Sequence, residues 1–254
     1  MRRFTSLLLA FALVCSLAIP ASADIFYFST GEPDGLMAVA SHPAGTYIDE
    51  NEAADDFILN SETLIIGATF YGLLPYDSSP EDIGDVIVEI YRVFPNDSDL
   101  DRQIQVPTRA NSPSDVEFDS RAVSDGSLFY VVTVLAADYQ AGNSVTDGIF
   151  PAPYQTTGGD GPVAGQLVRI DVLFEEPFDL PADHYFFVPQ VGLQTSSDVF
   201  RWLSAPFPGT PGDLQMWTRN ANIEPDWLRV ATDIVGGDPK FNGAFALWGE
   251  TIND

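Results

Sequence analysis

The chain has 254 residues, 37 of them acidic and 11 basic, for a net charge of −26. So acidic a surface repels phosphate backbones and anionic headgroups, which argues against a nucleic-acid partner or peripheral membrane attachment. The only cysteine, Cys15, lies near the N-terminus, so the rest of the chain has no disulfide framework and no thiol chemistry.

The first segment, MRRFTSLLLAFALVCSLAIPASAD, sets two arginines before an apolar run and then Ala21-Ser22-Ala23, the pattern of a cleaved signal peptide over residues 1–23. A lipid anchor at Cys15 is the rival, and Val14 before it is larger than such a site prefers. Cleavage removes two arginines and no acids, leaving nine basic against 37 acidic side chains, −28 in all. Cations are the natural counterpart of that charge, although salt tolerance or solubility accounts for it equally well. Lys240 is the only lysine.

Downstream, period-two alternation dominates. NEAADDFILN carries an acidic pair into an apolar run. As an extended strand it places Asp55 with Phe57 and Asp56 on the opposite face, so the two do not cooperate. Asp55 is expected to tie down backbone N–H groups of a neighbouring loop. TLIIGATFYGLL and DVIVEIYRVF read as further strands.

PNDSDLDR then offers the best metal candidate, calcium on Asp97, Asp99 and Asp101, because hard oxygens two residues apart can converge if the backbone curls. The pattern breaks at Arg102 and Thr108, where a calcium loop wants Gly and Glu, and a solvated acidic turn is the plainer reading. In SDVEFDSR an extended backbone would align Asp115, Glu117 and Asp119, a carboxylate set for glycoside hydrolysis or simply a charged edge.

SLFYVVTVLA, QLVRIDVLF and ADHYFFVPQV continue the strands. In QLVRIDVLF, Val168, Ile170, Val172 and Phe174 share one face. The connections 96–118 and 141–165 are long for hairpins, and long loops on a rigid scaffold are where binding sites sit. DVFRWLS and GAFALWG close the strand set, while Pro225 in ANIEPDWLRV can start one short helical turn. Trp202, Trp217 and Trp227 flank a Pro/Gly loop and are candidate glycan-stacking rings, with core packing as the competing reading. Only His42 and His184 are available for acid/base work, and no nucleophile elbow, zinc helix motif or phosphate loop occurs, so no catalytic residue is assigned.

The segments FSTGEPDGLMA, EAADDFIL, ATFYGLLP, DVIVEIYRVFPNDSD, VPTRANSPSDVEFDSR, LPADHYFFVPQV, PDWLRVATDIVGG and FALWGE together resemble exported bacterial proteins of the choice-of-anchor or PEP-CTERM type. The resemblance spans nearly the whole mature chain. It implies a β-sandwich at the cell surface or in the polysaccharide matrix, and carries over no catalytic residues. The C-terminal GETIND lacks the sorting segment of anchored members, so release or loose attachment is expected.

The sequence thus reads as one all-β antiparallel sandwich of jelly-roll type over residues 24–254. It is expected to be extracellular, surface-associated or periplasmic, non-enzymatic, and a binder of extracellular polysaccharide. Two alternatives stand beside it: a purely architectural surface protein, and a polysaccharide-active hydrolase working through a carboxylate pair.

Overall fold

A computed structural model describes residues 24–45, 48–146, 149–151, 156–194, 198–207, 212–237 and 240–252. Residues 1–23, read from sequence as a signal peptide, lie outside them together with Cys15. Among the described residues, fifteen strands form two sheets packed face to face.

The strands are β1 (Asp24–Ser29), β2 (Met37–Ala40), β3 (Asn51–Ile58), β4 (Thr63–Leu74), β5 (Ile83–Arg92), β6 (Asp119–Ala122), β7 (Leu128–Ala141) and β8 (Asn143–Val145). They continue as β9 (Val163–Leu180), β10 (His184–Leu193), β11 (Arg201–Pro206), β12 (Trp217–Asn220), β13 (Leu228–Arg229), β14 (Phe241–Gly243) and β15 (Phe245–Thr251). One sheet has nine strands and the other six, in the order β13-β12-β3-β10-β5-β6. All pairings are antiparallel except β2 with β8. The long β4 organises the larger sheet: β9 pairs along one of its edges, and β15 and then β11 share the other.

Alternation decides what each sheet buries. Phe70 of β4, Phe187 of β10, Trp202 of β11 and Phe245 of β15 all point between the sheets. Phe187 stacks on Phe245 at 4.9 Å between centroids and meets Trp202 edge-on at 6.0 Å. This aromatic stack joins the two sheets, and the area it removes from water supplies the stability that disulfides would otherwise provide.

The helical content is slight. A short 3-10 turn covers Pro80–Asp82 and a single π-turn covers Val230–Val235. The expected turn at Pro225 is displaced: β13 follows that proline, and the turn comes after it. Among the described residues, no helix is long and apolar enough to cross a membrane.

The six-stranded sheet also buries its outer face. Ala54, Tyr91, Phe186, Val188, Trp217 and Trp227 form a second, smaller core there. The long connection 93–118 and the segment 221–227 cover it. They are fastened by Arg102 to Asp226 and Asp115, by Arg109 to Asp115, and by the Trp227 indole N–H donating to the Ser114 carbonyl at 3.1 Å. The nine-stranded sheet buries its outer face only around Ala38, Leu73 and Leu203 and around Tyr71, Ala205 and Ala244, and leaves exposed outer positions such as Tyr27, Phe129 and Leu173 on β1, β7 and β9; that difference positions the site.

Candidate functional site

Most of the residues singled out by sequence are structural. Trp202, Trp217 and Trp227 are 0, 2 and 1 % exposed, so none has a ring face to offer a sugar. Trp202 sits in the main core, where its indole N–H donates to the Ala244 carbonyl at 3.1 Å and its ring lies on the bare backbone of Gly243. Trp217 and Trp227 belong to the second core, where Trp227 also stacks under the Arg219 guanidinium at 4.4 Å. Their loop setting in the sequence hid how deeply the covering segments bury them.

The calcium set is likewise not assembled. Asp97 presents its carboxylate to Arg92, whereas Asp99 closes a local turn by accepting from the Asp101 N–H at 2.9 Å. Among the described residues, no three His, Cys, Asp or Glu side chains converge at metal-binding spacing. The alignment of Asp115, Glu117 and Asp119 fails as well, because the strand begins only at Asp119 and Asp115 is held by Arg102 and Arg109.

The acidic pair on β3 does split between faces, and both members are buried. Their expected roles are exchanged. Asp56 is the one that ties down a loop, accepting from the Leu214 N–H at 2.8 Å while His184 Nε2 lies 2.6 Å from its other oxygen. Burial raises the Asp56 pKa despite these partners. Neither oxygen of Asp55 has a hydrogen-bond partner among the described residues.

A second buried polar group lies beneath the covering loop. Arg219 pairs with Glu52 and donates to the Tyr91 hydroxyl at 2.7 Å, and Tyr91 in turn donates to Glu89 at 3.1 Å. Burial and then the Glu52 charge push Glu89 up to about 8. With aromatic rings over it and Asp115 and Pro225 carbonyls beside Arg219, this cluster has no route for a polymer.

Two adjoining clefts open at one end of the sandwich, of about 270 and 540 Å³, sharing Ile48, Thr146 and Val199. Their polar lining is largely turned on itself. Arg201 donates to Asp198, Thr146 and the Val199 carbonyl, and Asn51 donates to the Ala40 carbonyl.

The open sheet face carries a different arrangement. Backbone register sets Tyr27 opposite Trp248, Trp248 opposite Gly67, Gly67 opposite Leu173, and Leu173 opposite Phe129. These five residues form one row across β1, β15, β4, β9 and β7, all on the face away from the core. At roughly 4.8 Å per strand the row is about 19 Å long. Tyr27, Leu173 and Phe129 are 68, 50 and 54 % exposed, and Trp248 is half-buried. Gly67 explains why Trp248 lies flat: a Cβ there would come within 2.4 Å of the indole and 2.6 Å of the Val172 carbonyl.

The neighbouring row is polar. Thr69 donates to Asp171 at 2.7 Å, and Arg169 Nε reaches the other Asp171 oxygen at 2.9 Å. An apolar, partly aromatic strip thus runs beside fixed hydroxyl, carboxylate and guanidinium groups on a flat surface. Sequence reasoning missed the strip because β1 was not counted as a strand and Trp248 was read only as part of a closing strand. Its traceable signals are Leu173, an apolar residue at an outward position, and Tyr27, which alternates with Phe26 and Phe28.

The fold and this face define an all-β sandwich with a planar aromatic surface on one sheet. No protein-family model matches the chain, and no curated protein matches it at a significant level.

Proposed function

We propose that the protein is an exported, non-enzymatic sandwich that binds neutral polysaccharide at the cell surface or in the extracellular matrix through the outer face of its nine-stranded sheet. The observation that carries this reading is Trp248 lying flat over Gly67 in a continuous row with Tyr27, Leu173 and Phe129. Pyranose rings have apolar C–H faces that stack on such a surface, while their hydroxyls reach polar groups alongside, here Thr69, Asp171 and Arg169. A neutral polymer fits because a mature charge of −28 repels acidic ones. The resemblance to exported surface sandwiches and the signal-peptide pattern of residues 1–23 point to the same compartment.

Affinity electrophoresis of the mature protein through gels carrying neutral glucans, mannans or galactans tests this, with an acidic polysaccharide as control. We expect retardation in at least one neutral gel. In the Tyr27→Ala/Trp248→Ala variant the affinity should fall about 10- to 100-fold, from roughly 1.4 kcal/mol per decade and about that much per lost stacking ring. Trp202→Ala should instead lower stability by about 3–5 kcal/mol and leave binding by the folded fraction intact. No retardation in any gel, or equal retardation of the double variant, would support the architectural alternative.

A further inference from the structure

Asp55 lies on the core side of β3 between Ala53 and Phe57, 0 % exposed, with both carboxyl oxygens unpartnered among the described residues. A buried carboxyl without donors is costly, and native interiors rarely leave one so. Facing it across the core is β14, whose Gly243 N–H, together with the Asp56 N–H, is directed at the Asp55 carboxyl and favours its charged form, while neither oxygen receives a hydrogen bond of ordinary length among the described residues. The adjacent Asn242 is 1 % exposed, and its Oδ1 is also unpartnered among the described residues. Its Nδ2 lies 3.2 and 3.3 Å from the two oxygens of Asp213. The Asp213 charge in turn is felt at Asp55.

All three unpartnered atoms are oxygens, and a second carboxylate adjoins them. The positive charge felt at Asp213 comes from His184 and Lys240, and both have other partners. The basic groups nearby are engaged: His184 is bonded to Asp56, and Lys240 lies over the Phe207 ring at 5.4 Å. We propose that Asp55, Asp213 and the side-chain oxygen of Asn242 hold a hard divalent cation of the calcium class between β3 and β14. Carboxylates and amide oxygens are the ligands calcium prefers, with backbone carbonyls and water completing six to eight. The cation would also cross-link the two sheets, since β3 belongs to one and β14 to the other.

The test uses the mature chain, stripped with chelator and held at constant ionic strength. Equilibrium dialysis should find one calcium bound per chain at up to about millimolar concentration, the range of extracellular modules. Calcium should raise the melting temperature by several degrees. Asp55→Asn and Asp213→Asn should each weaken binding at least tenfold, while Asp97→Asn leaves it unchanged. Should Asp55→Asn fail to fold, the half-exposed Asp213 position and the wild-type stoichiometry decide the matter. Absence of bound calcium in the wild type, with Asp55→Asn more stable than wild type, would show that Asp55 simply carries a proton. Calcium binding untouched by both substitutions would also overturn the proposal.

Discussion

Glu89 shows how a single buried carboxyl writes itself into the behaviour of the protein. It sits beside Glu52 on the covered face of the six-stranded sheet, and among the described residues the Tyr91 hydroxyl and the Gln190 amide donate to it. Burial is the larger cause of its shift to about 8, followed by the Glu52 charge, so it holds a proton that an unfolded chain releases near pH 4.3. Between those values the unfolded state binds fewer protons, and stability falls as pH rises until the folded pKa is passed. Glu89→Gln keeps a donor toward Glu52 without a titratable proton. Thermal melts should therefore show the variant matching wild type near pH 4–5 and exceeding it at pH 9, with the gap opening between. A gap that is constant across that range would mean that Glu89 is ionised in the folded state. Asp213, raised to about 6 mainly by burial, adds the same direction of change but finishes it at lower pH.

At the scale of elements, the connection 93–118 works as a cover fastened at its far side to the segment 221–227. Arg102 bridges Asp115 and Asp226, and Arg109 sits between Asp115 and the Phe94 ring. Asp226 has no exposed side-chain surface, so Asp226→Asn leaves buried arginine charge short of a partner and should cost about 3–5 kcal/mol. The loss should be local first: amide exchange in 97–111 accelerates by more than exchange in β4 or β9. Uniform acceleration through both sheets would mean that the cover and the sandwich open together. The strands themselves were legible because QLVRIDVLF or DVIVEIYRVF needs only a period of two to declare its faces. What covers an outer face is a tertiary fact with no period. The long loop was therefore visible as a loop while its arginine–aspartate fastening was not, and Trp217 and Trp227 looked available when they lie beneath it. The row from Tyr27 to Phe129 was hidden for a related reason, since register across five strands joins residues up to 221 positions apart in the chain (Tyr27 and Trp248) and no local window spans them.

For the whole molecule the governing quantity is the mismatch between acids and bases. All eight arginines after residue 23 form ion pairs, and Lys240 lies over Phe207. Screening acts on both sides of this balance, weakening the exposed pairs and relieving repulsion among the remaining acids. Exposed pairs such as Arg169–Asp171 are worth at most about 1 kcal/mol, and the best buried ones, such as Arg219–Glu52, are screened least. Repulsion has no such limit, because residues 24–254 share nine basic against 37 acidic side chains over one sandwich. Sodium chloride should therefore stabilise a chain of residues 24–254, with the melting temperature rising steadily from about 0.01 to 1 M as the Debye length contracts from about 30 to 3 Å. The same series run with sodium sulfate separates screening from preferential exclusion, since both salts act alike at equal ionic strength if charge is the cause. A melting temperature that falls with sodium chloride would mean that the arginine pairs, and not the excess of carboxylates, dominate the electrostatics of the fold.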